Sequence, residues 1–161
     1  MATNKRLEYV SPIQLNVSNL ITGTPPTAPI ASGAPAVLRG LLATASYKGN
    51  PTGLPLVANE AAVSPTGGYS GFQSFDQWGA FDLTVVAESA ESPAVNSAVQ
   101  PGDVVFANVN TGTYDATSGL FYNFTLDKNP SGIPFGRVVI GSLVAGTTGV
   151  VTVMLCANMV P

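Results

Sequence analysis

The sequence predicts an all-β fold, a small β-barrel or sandwich with an extended N-terminal arm and little helix. Three observations carry this: short apolar runs of period 2, turn residues spaced regularly between them, and no long apolar stripe of helical period. At 161 residues the chain is long enough for one domain with a genuine core and short for two.

Residues 1–30 read as the arm. Lys5, Arg6 and Glu8 cluster early, and Thr22-Gly23-Thr24-Pro25-Pro26-Thr27-Ala28-Pro29 can hold neither helix nor an inner strand, because proline fixes φ and lacks a donor. Within the arm, Ile13-Gln14-Leu15-Asn16-Val17 alternates apolar and polar residues and is suited to adding to a sheet edge. The alternative for this stretch is a disordered chain end, the default for termini.

Residues 31–161 read as the β-barrel domain. Phe81, Leu83, Val85 and Ala87 share one face of a strand whose other face carries Asp82 and Thr84. Asp103–Val109 follows the Gln100-Pro101-Gly102 turn, and Leu120–Asp127 repeats the alternation with Leu120, Tyr122, Phe124 and Leu126 inward. Phe135–Ile140 is a further strand. Asn110-Thr111-Gly112, Ser118-Gly119, Asn129-Pro130-Ser131-Gly132 and Gly146-Thr147-Thr148-Gly149 supply the turns. Glu60–Val63 and Ser92–Val99 each have room for a turn or two of helix, but no more.

The last strand is unusual. Val151, Val153 and Leu155 line one face and Val150, Thr152, Met154 and Cys156 the other, so both faces are largely apolar. Such a strand lies inside a two-layer core, or its outer face is covered by an arm, a loop or another subunit. Cys156, the one cysteine, cannot form an internal disulfide and reads as a small apolar residue.

Composition narrows the function. Six Lys/Arg against nine Asp/Glu give a net charge of -3, and charged residues are only 9% of the chain. About a quarter is usual for a soluble domain, so the surface is weakly ionic and suited to being covered by other protein. The acidic balance argues against nucleic acid, which needs clustered Lys and Arg. Met1–Pro12 does not read as a secretory signal, and no apolar run reaches the length of a membrane span.

Catalytic chemistry is thin. The chain has no histidine, which closes Ser-His-Asp and Cys-His catalysis and, with one cysteine, nearly closes transition-metal sites. A hard-cation site over Asn108–Asp115 lacks the EF-hand glycine register and terminal Glu. Asp76, Asp82, Glu88 and Glu91 are the nearest approach to a carboxylate cluster and read better as charges that keep a sheet edge from sticking. No cofactor and no metal is expected.

The order Ala31-Ser32-Gly33-Ala34-Pro35-Ala36-Val37-Leu38-Arg39-Gly40-Leu41-Leu42, Gly79–Val85, Gln100-Pro101-Gly102-Asp103-Val104-Val105-Phe106, Ile133-Pro134-Phe135-Gly136-Arg137-Val138 and a closing Gly141–Leu155 resembles the small β-barrel cement or decoration proteins of tailed-bacteriophage heads. The resemblance covers residues 31–157. It departs over Tyr47–Gln77, which is longer and rich in Gly, Pro and Ser, and in the Pro-rich arm.

The resemblance implies a non-enzymatic structural protein of the virion. It would be assembled in the host cytoplasm, sit as a homotrimer on the outer surface of an expanded icosahedral shell, and clasp the major capsid protein against the pressure of packaged DNA. On that reading Leu7, Tyr9, Ile13, Leu15 and Val17 are the capsid-binding arm anchors, and Val150, Met154 and Cys156 the oligomer contacts. No membrane is involved. The alternative is a carbohydrate-binding head-fibre or surface adhesion module that stacks Tyr69, Phe72, Phe75 and Trp78 on sugars, against which those rings read as a core cluster.

Overall fold

The structure is a computed structural model that describes residues 13–17, 30–39, 53–63, 69–88, 96–116 and 118–155. Eleven strands are present among them, in the order β1 (Ile13–Asn16), β2 (Pro35–Arg39), β3 (Gly53–Val63), β4 (Tyr69–Asp76), β5 (Ala80–Val86), β6 (Val104–Ala107), β7 (Thr113–Asp115), β8 (Leu120–Tyr122), β9 (Leu126–Asp127), β10 (Ile133–Ile140) and β11 (Thr148–Leu155). None of the described residues is helical. The room for a helical turn at Glu60–Val63 is therefore not used, since those residues end the long strand β3.

The strands form two bodies of sheet. β10-β11-β5-β9-β6 closes into a five-stranded barrel, and β1-β4-β3-β2-β8-β7 forms a six-stranded antiparallel sheet. The domain is thus more than one barrel, because a second sheet is laid against it.

Side-chain alternation explains how the two pack. From β2 and β3, Val37 and Val57 join the barrel core with Leu83, Val85, Val105, Leu126, Phe135, Val151 and Val153. Their neighbours Ala36, Leu38, Leu56 and Ala58 point the other way, into a second core with Val17, Ile30, Phe75, Leu120 and Tyr122. The middle of the six-stranded sheet is therefore buried on both faces, a wall shared by two cores. Each fully buried Val, Leu or Phe in either core contributes about 1.5–3 kcal/mol relative to exposure.

β8 shows the same division within three residues: Leu120 and Tyr122 belong to the second core, whereas Phe121 belongs to the barrel. Phe121 stacks on Phe124 with centroids 5.0 Å apart, and Phe124 meets Phe135 edge-on at 5.8 Å. The single strand expected over Leu120–Asp127 is broken here. Asn123 takes a left-handed conformation (φ 56°), so the chain leaves the six-stranded sheet after Tyr122 and enters the barrel at Leu126. Asn tolerates that region better than most residues do, which suits it to the corner.

Two irregularities in β10 matter for the surface. Pro134 pairs with Phe106 and Gly136 with Val105, so Phe135 is an extra residue. A second bulge at Val139 lies between the pairs Val138–Val153 and Ile140–Thr152. Simple alternation from Val138, which points inward, would bury Ile140; the extra residue reverses the parity and turns it outward.

Candidate assembly face

The outer face of the barrel is built by β10, β11 and β5. β11 runs antiparallel to β5 with Val150 opposite Thr84, Thr152 opposite Asp82 and Met154 opposite Ala80. The inward set Val151, Val153 and Leu155 is buried, as the alternation predicts. The outward set is not: Val150 is 62% and Met154 45% exposed, joined by Ile140 at 66%, Val144 at 74% in the β10–β11 turn and Trp78 at 69% just before β5. Cys156, the third expected oligomer contact, lies outside the described residues.

These residues share one side of the molecule for a backbone reason. Ile140 faces Thr152 directly, which makes Val150 and Met154 its diagonal neighbours, roughly 7–8 Å away across the pair. Val144 sits beyond Ile140 in the same hairpin, and Leu155 N–H donates to Gly79 C=O (2.9 Å), which ties the Trp78–Gly79 turn to the far end of β11. Ile140, Val150 and Met154 therefore form an apolar patch along β11, with the turns that carry exposed Val144 and Trp78 at its two ends. Three of its polar members are already engaged: Thr152 Oγ1 donates to Asp82 Oδ1 at 2.7 Å, and Arg137, opposite Met154, donates through Nη1 to Gly102 C=O.

The expected arm anchors divide. Leu7 and Tyr9 lie outside the described residues. Ile13–Asn16 forms the edge strand β1, paired with β4 from Ile13–Phe75 to Asn16–Phe72. Ile13 and Leu15 pack against the second core, and Val17 is buried there, with its N–H bonded to Gly71 C=O at 2.7 Å. Ile30, at the end of the expected arm, is buried in the same core. The stretch suited to adding to a sheet edge does add to one, and that edge belongs to its own chain.

The aromatic residues of the adhesion alternative are not brought onto one surface. Tyr69 and Phe75 face the second core, Phe72 lies on the opposite side of β4, and Trp78 is in the following turn. Burial pushes the Tyr69 hydroxyl up to about 12, and the buried oxygen has no hydrogen-bond partner. Gln73 on the same strand face is fully buried; its Nε2 donates to Ile30 C=O (2.7 Å) and Asn59 C=O (3.2 Å), while its Oε1 has no donor.

The carboxylates are also dispersed. Asp76 accepts from Asn59 Nδ2 at 3.3 Å in the six-stranded sheet, Asp82 serves Thr152 on the barrel, and Glu91 lies outside the described residues. Among the described residues no three acidic, Cys or His side chains gather as a metal site. Asp115, at the end of the stretch weighed as a hard-cation site, caps its own turn by accepting from Ser118 N–H at 3.0 Å.

Ile140 and Val144 are the surface residues that strand alternation missed. The signal for Val144 was present in the sequence, an apolar residue inside a Gly-rich turn. For Ile140 there was none, because the bulge depends on pairing with β11. No protein family, curated protein or solved structure matches the chain.

Proposed function

We propose that the chain is a structural decoration protein of an icosahedral phage head, non-enzymatic, that self-associates as a homotrimer and clasps the major capsid protein on the outer surface of the virion. The observation that supports this reading most is the apolar band along β11. A small domain that works alone rarely exposes so many large apolar side chains together in one patch. The low charge of the chain points the same way, since contacts with few ion pairs are little screened by salt and avoid the cost of desolvating charges.

Within this reading Val150 and Met154, with Ile140 beside them, make the contact between copies. Residues ahead of β1, including Leu7 and Tyr9, reach the capsid, whereas Ile13, Leu15 and Val17 anchor that reach to the domain. Three copies on one trimer would give three attachments, so weak individual contacts add to firm binding.

Sedimentation velocity of the purified chain, followed by electron microscopy of the chain mixed with empty phage heads, tests both halves. A trimer that decorates the shell and stays bound when salt is raised is expected. A monomer at all concentrations, or bare shells, would overturn the reading.

A further inference from the structure

A polar cleft of about 220 Å³ opens at one end of the barrel, lined by Asn108, Val109, Asn110, Asn129, Ser131 and Gly132. It lies between the segment after β6 and the turn that joins β9 to β10. Gly132 lets the two approach: a Cβ there would stand 2.5 Å from Ala107 O and 2.9 Å from Phe106 Cβ, so a side chain would push the walls apart.

The key group is Asn129, only 7% exposed. Its Oδ1 accepts from Ser131 N–H at 3.0 Å and from Ser131 Oγ at 2.7 Å. A backbone N–H can only donate, so these bonds fix which end of the amide is oxygen. Nδ2 then remains as the end that Asn129 offers to the cleft, and it has no acceptor among the described residues. Although the residue is buried, Nδ2 itself is not sealed from solvent, so a ligand in the cleft can reach it. Held rigidly at a cleft wall, it is a binding group already oriented.

The other walls decide what it binds. Asn108 is occupied, donating from Nδ2 to Asp127 Oδ2 (2.8 Å) and accepting at Oδ1 from Asn110 N–H (3.0 Å). Asp127, behind it, accepts at its second oxygen from Asn129 N–H at 2.9 Å, is only 5% exposed and is not among the residues that line the cleft, so the lining offers a hard cation no carboxylate. No Lys or Arg lines the cleft, which removes phosphates and carboxylates as occupants. What remains is a neutral ligand rich in hydroxyls, each able to donate and accept against amides. Half-exposed Val109 supplies an apolar surface for the C–H face of such a ring. The volume lies below the roughly 300–1,000 Å³ of clefts that take drug-sized ligands, which limits the occupant to about one ring.

We propose that the Asn108–Asn129 cleft binds a single neutral sugar ring, the exposed residue of a glycan, through the Nδ2 group of Asn129. The site is independent of the β11 band and of the assembly reading.

The test is an amide-resolved NMR titration of the full chain with methyl glycosides of glucose, galactose, mannose and N-acetylglucosamine, and in parallel with Ca²⁺. At least one glycoside is expected to shift Val109, Asn110, Ser131 and Gly132 with a millimolar dissociation constant, of the order of -4 kcal/mol. Asn129→Asp keeps the oxygen that serves Ser131, replaces the donors with a second acceptor and adds a charge beside Asp127, and should weaken binding about tenfold or more, at least the value of one good hydrogen bond. Asn110→Ala, at the exposed rim, should weaken it several-fold; should Asn129→Asp fail to fold, this variant decides alone. Glycosides that leave these amides unmoved, Ca²⁺ moving them where glycosides do not, or wild-type affinity in the folded variants would overturn the proposal.

Discussion

Thr152 and Asp82 face each other across the β11–β5 pair, and the threonine hydroxyl donates to Asp82 Oδ1 at 2.7 Å in the middle of the apolar band. The pair divides the band into a half around Ile140, Val144 and Val150 and a half around Met154 and Trp78. With its charge already hydrogen-bonded, Asp82 can be covered by another copy at lower cost than a bare carboxylate.

Charging the band should therefore separate assembly from folding. Val150→Asp with Met154→Lys is expected to give a monomer by sedimentation with a melting temperature close to that of the parent, since both side chains point away from the core. An assembly that survives the double substitution would place the contact elsewhere.

Truncation distinguishes the two parts of the N-terminal segment. Removing residues 1–12 should leave the melting temperature almost unchanged and lower shell binding. Removing residues 1–17 also strips β1 from β4 and takes Val17 out of the second core, with a loss of about 3–5 kcal/mol in urea unfolding from two to three apolar side chains. Equal stability of the two truncated chains would mean that β1 contributes nothing.

Tyr69→Phe should stabilise the protein. The substitution removes a buried hydroxyl that has no partner and leaves the ring, a gain of about 1 kcal/mol at neutral pH. The alkaline limb should change too. The folded value of about 12 lies above the unfolded 10, so the folded state keeps its proton where the unfolded chain loses it, and stability falls as pH rises from 10 towards 12. Urea midpoints measured at neutral pH and near pH ~11 should show a smaller alkaline fall in Tyr69→Phe, with a remainder from Tyr122, which burial, with help from Asp115, also pushes up.

Gly136→Ala should damage the barrel. A Cβ at this position would lie 2.5 Å from both Met154 O and Val153 Cγ1, in a strand fixed on two sides. Overpacking of this kind costs about 1–3 kcal/mol, and thermal unfolding should read it. Gly102→Ala is the control: nothing lies within 4 Å of its Cβ, although its φ of +98° adds backbone strain.

The inward and outward faces of β5 and β11 were legible in the sequence because period-2 alternation over seven or eight residues survives any detail of pairing. The all-β class followed from the same pattern. The second core was not legible, since it needs Val17 and Ile30, one on each side of a Pro-rich run, to meet Phe75 and Leu120. Nor was the break at Asn123, where a continuous alternation conceals one left-handed residue. The outward turn of Ile140 was hidden for a related reason, because a bulge exists only relative to a partner strand. At the cleft, Asn129 stood in an obvious turn and Asn108 near the end of an expected strand, but their meeting depends on the β6–β10 pairing, which no local signal announces.

The barrel's wiring also sets the order in which a ribosome can complete it. β5 is made early, yet its long antiparallel partner β11 is more than sixty residues away, and its other neighbour β9 touches it at the single pair Val85–Leu126. Until residues 148–155 emerge, Leu83 and Val85 belong to a strand with an open flank. Nascent chains halted before that point should be sticky and in need of chaperones, and release of the last strand should end that need at once.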